Sequence, residues 1–214
     1  MKNYISKVLL SIFCLLPIFT CELILPLYAE ENWNEKLFKS ETKENKKLSS
    51  KEYALLFIEA SVAEKEQRYD DLLNIRKDIL RNIKKDFGES SEFTGFAHLS
   101  IASNYKLLGK FKNAEFHYKK SLEIFSNKKI NNPTGLANTK NSLGLFYLEK
   151  GIYNKAEILL EEALNIKEKE YGLKDIKLVN TLNNLAVLYN EINLLNLSEN
   201  RYQRALEILI KNKK

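Results

Sequence analysis

Two histidines, two cysteines and the adjacent acids Asp70-Asp71 and Glu161-Glu162 are the side chains in this 214-residue sequence that first invite a chemical reading. His98 and His117 are the only imidazoles. A metal pair on one helix needs ligands three or four residues apart, and these two stand on different helical stretches, so they read as half-exposed packing residues. Asp70-Asp71 and Glu161-Glu162 are the strongest acid pairs for general acid and base work. Neighbours on a helix point in different directions and cannot share a substrate; solvated faces or helix-start electrostatics account for them. Cys14 and Cys21 both lie within the first 29 residues, so the remainder holds no thiol to ligate a metal or attack a substrate. There is no glycine-rich phosphate loop, no nucleophile elbow and no HExxH. No catalytic residue, cofactor or metal is implied, and the reading is of a non-enzyme.

The first 29 residues differ from the rest. Lys2 and Lys7 precede a mostly apolar run from Val8 to Ala29, interrupted by Pro17, Glu22 and Pro26 and followed by Glu30-Glu31. A positive start, an apolar stretch and Leu27-Tyr28-Ala29 before acids form a secretory signal pattern, with cleavage expected after Ala29. The expected location is therefore outside the cytoplasm: periplasm, lumen or medium. Two alternatives stand beside cleavage. One is an uncleaved anchor through residues 8–29, against which Glu22 and the prolines argue; membrane contact is expected only through that segment. The other is lipid attachment at Cys21, to which Ile18-Phe19-Thr20 is poorly suited.

Beyond the leader, punctuation is sparse. The whole chain has seven glycines and three prolines, two of which are Pro17 and Pro26, so helix is favoured over strand. The formal net charge of +6 is spread along helical faces rather than clustered, which argues against a nucleic-acid partner. Residues 30–51 are mostly charged or polar and read as a linker.

The organising feature is a repeat. Gly109-Lys110-Phe111-Lys112-Asn113-Ala114 returns 42 residues later as Gly151-Ile152-Tyr153-Asn154-Lys155-Ala156. A further 42 residues lead to Asn193, Leu195 and Ser198. Ile101-Ala102-Ser103-Asn104-Tyr105 likewise returns as Leu143-Gly144-Leu145-Phe146-Tyr147 and Leu185-Ala186-Val187-Leu188-Tyr189. One period earlier, a weaker copy places Tyr69 where Phe111 stands. The repeats run over about 53–94, 95–136, 137–178 and 179–214. Small residues at Ala102, Gly144 and Ala186, and at Ala114, Ala156 and Ser198, let two antiparallel helices approach closely, while aromatic and leucine positions fill the grooves between pairs. One pair cannot bury its apolar face alone, so neighbouring pairs must stack.

These residues resemble the tetratricopeptide (TPR) family. The usual period is about 34 residues, and the longer spacing is similar to its kinesin-light-chain-type variant, most clearly in Thr181-Leu182-Asn183-Asn184-Leu185-Ala186-Val187-Leu188-Tyr189. The resemblance covers about residues 53–211. It implies an all-α fold, a right-handed superhelix of about four antiparallel helix pairs after the signal segment, filling residues 52–214. The pairs are expected at 52–67 with 69–86, 95–108 with 111–126, 134–149 with 153–170, and 176–192 with 195–211.

The resemblance also implies that the first helix of each pair lines a concave face where a protein or extended peptide segment lies. Position by position this assigns Phe57, Phe96, Leu99, Ser103, Asn138, Asn141, Asn180, Asn183 and Asn190 to peptide binding, with Leu148 and Lys106 one turn on. Asparagine both donates and accepts, so it can read an extended backbone without demanding a charge. The family's Lys and Asn clamp for acidic chaperone tails is absent, since Phe57 with Ser61 and Leu99 with Ser103 occupy those positions. Leu194, Leu195, Leu197, Leu206, Leu209 and Ile210 cannot all face one neighbour. Without a polar capping helix after them, self-association through the C-terminal helix is the expected alternative role.

Overall fold

The computed structural model describes residues 47–212, and among them the only regular elements are eight α-helices and one 3₁₀ turn. The expected leader over residues 1–29, both cysteines and the linker up to residue 46 lie outside the described residues. The chain divides into two compact units after Asp86.

The first unit carries α1 (Ser50–Lys65) and α2 (Tyr69–Phe87). Ser49 and Glu52 form a capping box at the start of α1: the Glu52 N–H donates to the Ser49 hydroxyl at 3.3 Å and the Ser49 N–H to the Glu52 carboxylate at 2.6 Å. The α2 helix opens with Asp70 and Asp71 and closes with Lys84 and Lys85, matching its dipole at both ends. Asp71 pairs with Arg68 at 2.7 Å, as expected of a solvated helix start. Asp86 locks the far end of the pair, accepting from the Tyr53 hydroxyl at 2.8 Å and the Leu48 N–H at 3.0 Å.

The second unit stacks three pairs: α3 (Glu92–Leu107) with α4 (Phe111–Ser126), α5 (Pro133–Glu149) with α6 (Tyr153–Tyr171), and α7 (Val179–Glu191) with α8 (Leu195–Lys211). Pro133 opens α5, where its missing N–H costs nothing, beside Asn132, whose side chain accepts the Gly135 N–H at 2.7 Å. The opening of the last pair was expected as one helix from residue 176. Instead Ile176–Leu178 forms a separate 3₁₀ turn, because the Asp175 carboxylate takes the Lys177 N–H at 2.8 Å and tightens the start.

The 42-residue period is visible in the backbone itself. Gln67, Gly109, Gly151 and Asn193, each one period apart, all take positive φ, at 58°, 68°, 71° and 59°. The left-handed step turns each second helix back on its first. Gln67 adopts it despite its side chain.

The small positions do what the spacing requires. Ala102, Ala114, Ala156 and Ala186 have no exposed surface. A Cβ on Gly144 would lie 2.8 Å from Leu160 Cγ, so α5 and α6 touch there. Ser198 is buried and donates to the Ala186 carbonyl at 2.8 Å. Between the first two pairs of this unit the ring of Phe125 is held by two glycines: a Cβ at Gly95 would stand 2.7 Å from it and one at Gly135 only 2.3 Å, while Phe96 meets it edge-on with ring centres 4.8 Å apart.

Candidate groove on the first helices

Three first helices of the second unit, α3, α5 and α7, lie side by side. Lys106 on α3 pairs with Glu149 at the end of α5 at 2.8 Å, and the Asn184 side-chain amide on α7 donates to the Asn141 carbonyl oxygen on α5 at 3.1 Å. Leu99, Ser103, Asn138, Asn141 and Asn183 are half-buried on these helices, and Asn180 and Asn190 are exposed. Val187, 40% exposed, supplies apolar surface beside the asparagines. Ser103 donates to the Leu99 carbonyl at 3.2 Å, as serines in helices do. The face is uncharged apart from Lys106, which Glu149 neutralises. Its amide groups can pair with a backbone, and its leucines and valine can cover an apolar side chain.

Two expected lining residues are corrected. Phe96 is only 4% exposed and packs against Phe125, so it belongs to the core between pairs, because its helix position faces the last turn of α4. Leu148, 7% exposed, is buried likewise. Phe57 lies in the first unit, half-buried on α1 with its ring centre 6.5 Å from that of Tyr53. Part of the amide capacity of Asn141 is already used by Asn184, a residue that the sequence reading did not single out.

The candidate chemical groups sort as follows. Glu161 and Glu162 diverge: Glu161 accepts from the Tyr189 hydroxyl at 2.9 Å and Arg201 at 2.8 Å, while Glu162 pairs with Lys140. Burial, and then the bond to Glu161, pushes the Tyr189 hydroxyl up to about 12. Burial and Glu115 do the same to Tyr147, also to about 12. His98 and His117 come together, with Nδ1 atoms 2.8 Å apart across α3 and α4. Their sequence separation hid this contact, and His98 is buried rather than half-exposed. Among the described residues no group of three or more His, Cys, Asp or Glu is placed to hold a metal ion.

One unusual group escaped the sequence reading. Lys167 on α6 is 7% exposed and donates to the Thr181 hydroxyl at 3.0 Å, and burial pushes its ammonium down to about 8. The period gives its counterparts as Phe125 and Leu209, so a cation at an otherwise apolar position was the available signal.

Comparison with known proteins agrees with this architecture. A tetratricopeptide-repeat family model matches residues 135–211 and a second one matches residues 97–128. No curated protein matches the sequence. Among solved structures the chain is similar to BtubC (BKLC) from P. vanneervenii, with a TM-score of 0.66 and 23% identity over 75% of this chain. The match spans 64% of that chain's length.

Proposed function

Because this chain belongs to the tetratricopeptide-repeat family, we propose that it is a non-catalytic scaffold, exported from the cytoplasm, which holds an extended segment of another protein along α3, α5 and α7. Proteins of this family serve protein–protein interaction, and the groove supports that role here. The observation that carries the reading is the set of amide side chains, Asn138, Asn141, Asn180, Asn183 and Asn190, on adjacent first helices with almost no net charge among them. Such a surface favours a segment that offers free backbone groups and a few apolar side chains over an acidic tail, which has no cationic clamp to meet. Export rests on the leader pattern of residues 1–29.

The test is capture from the extracytoplasmic fraction by crosslinking, with the native chain beside an Asn141→Arg/Asn183→Arg variant. The expected result is a defined partner whose affinity for the variant falls about 10–100-fold, because two buried guanidinium groups would lack counter-charges, with helicity unchanged. Equal capture by both chains would remove the groove from the function, and recovery of the chain only in the cytoplasm would remove export.

A further inference from the structure

Positions through which one helix pair packs on the next inside the second unit recur, at the repeat period, as exposed apolar residues on α1 and α8. Inside the second unit, Phe146 on α5 packs against α4, its ring centre 5.6 Å from that of Tyr118 and 6.4 Å from that of Phe111. Two periods after Tyr118 and Phe111 stand Tyr202 and Leu195 on α8, and two periods before Phe146 stands Val62 on α1. The same holds for a second contact. Lys167 on α6 meets Thr181, the counterpart of Thr139, on α7 at 3.0 Å; the separate contact of Ser121 with Thr139 at 2.9 Å has Ala205, 2% exposed, as the α8 counterpart of Ser121. The counterpart of Thr139 and Thr181 on α1 is Leu55; that of Lys167 on α8 is Leu209.

Burial follows the same map. At the position of Leu55 the inner copies Ala97, Thr139 and Thr181 are covered, yet Leu55 is 57% exposed. At the position of Val62 the inner copies Asn104, Phe146 and Leu188 are covered, yet Val62 is 39% exposed. On α8, Tyr202 is 45% exposed where its counterparts Tyr118 and Leu160 are 2% and 0%. Leu195 and Leu206 flank a shallow groove of about 490 Å³ that Tyr202 also lines. At Leu55, Val62, Tyr202 and Leu209 the exposed copy is apolar where its inner copies are covered, which solvent alone does not favour.

We propose that the α8 face of one copy receives the α1 face of a second copy, continuing the internal stacking between molecules. Val62 then packs on Tyr202 and Leu195 as Phe146 does on Tyr118 and Phe111, and Leu55 packs on Leu209 as Thr181 does on Lys167. The contact is heterologous, using two different faces, so each copy keeps one of each face for further copies. This goes beyond the groove reading and uses none of its side chains.

The test uses the full chain as the cell processes it, in two surface variants: Leu55→Glu/Val62→Glu, which blocks the α1 face, and Leu195→Glu/Tyr202→Glu, which blocks the α8 face. Sedimentation should show the native mass rising with concentration, each variant alone remaining monomeric, and their equimolar mixture reaching roughly twice the monomer mass and stopping there. Only a heterologous contact gives that complementation. Self-association of the α1-blocked variant alone would mean α8 against α8, and self-association of the α8-blocked variant alone would mean α1 against α1; either overturns the proposal. So does a native chain that stays monomeric throughout, as it would with the α1 stripe covered by residues 1–46 or by another protein. If the glutamates lower helicity, the serine versions at the same four positions carry the same complementation test. The Asn141→Arg/Asn183→Arg variant should associate like the native chain, which separates failure here from failure of the groove.

Discussion

A Phe125→Ala chain is expected to lose about 3–5 kcal/mol of folding free energy, the range for removing a buried phenylalanine. The side chain is 3% exposed, edge-on to Phe96, and lies against two glycines that leave no space for any other group. Because Gly95 is on α3 and Gly135 on α5, the ring joins two helix pairs, and its loss should also broaden the urea transition of the second unit as neighbouring pairs uncouple. The companion change tests the same fit from the other side. Gly135→Ala would place a Cβ 2.3 Å from the ring. It should cost about 1–3 kcal/mol through overpacking, although alanine is the better helix former by about 1 kcal/mol. In the double variant the new methyl enters space that the ring has left, so the two costs should fall short of additive by about 1 kcal/mol. Strict additivity in urea titrations would mean that ring and glycine are not in contact.

Lys167 gives the second large effect, with opposite sign. Its ammonium is buried against Thr181, and its folded value of about 8 lies below the unfolded value of about 10.4. Below pH 8 both states hold the proton, and the cost of burying the charge is fully present. Between about pH 8 and 10.4 the unfolded chain keeps its proton while the native chain gives it up, so stability rises with pH by about 2–3 kcal/mol across that window. Tyr147 and Tyr189, held near 12, act the other way only once unfolded tyrosines ionise above about pH 10. The range from pH 8 to 10 therefore isolates the lysine. Lys167→Met should stabilise the chain by about 1–2 kcal/mol at pH 7, the relief of charge burial less the lost bond to Thr181, and should abolish the alkaline gain. Denaturant titrations of both chains at pH 7, 8, 9 and 10 measure this directly; parallel pH profiles would show that Lys167 carries no penalty.

Fold and register were legible from residues alone because both rest on local, repeated requirements. Small side chains must stand where helices touch, and glycine or asparagine where the backbone turns left-handed. Leucines and aromatics at helical spacing must find a neighbour. Those rules act within one period, so Gly109, Gly151 and Asn193 recur at a single spacing in the sequence, and the left-handed step they share with Gln67 appears in the backbone. Chemistry-bearing residues could also be set aside by spacing, as Glu161 and Glu162 show by diverging.

What only the tertiary structure decided concerns which side of a helix a residue faces and what stands opposite. Phe96 and Asn138 occupy the same repeat position, yet Phe96 is drawn into the core because Gly95 and Gly135 open a slot for Phe125. One period on, Lys167 replaces that ring and Asn138 remains half-buried on the surface. His98 and His117 meet although their spacing gives no hint of it, and Asn141 is partly committed to Asn184 across two helices. The stripe from Leu55 to Val62 reads in sequence as ordinary apolar positions, while the last helix already shows more leucines than one neighbour can cover. Their exposure depends on whether another helix pair covers them, a long-range condition that no window of one period contains.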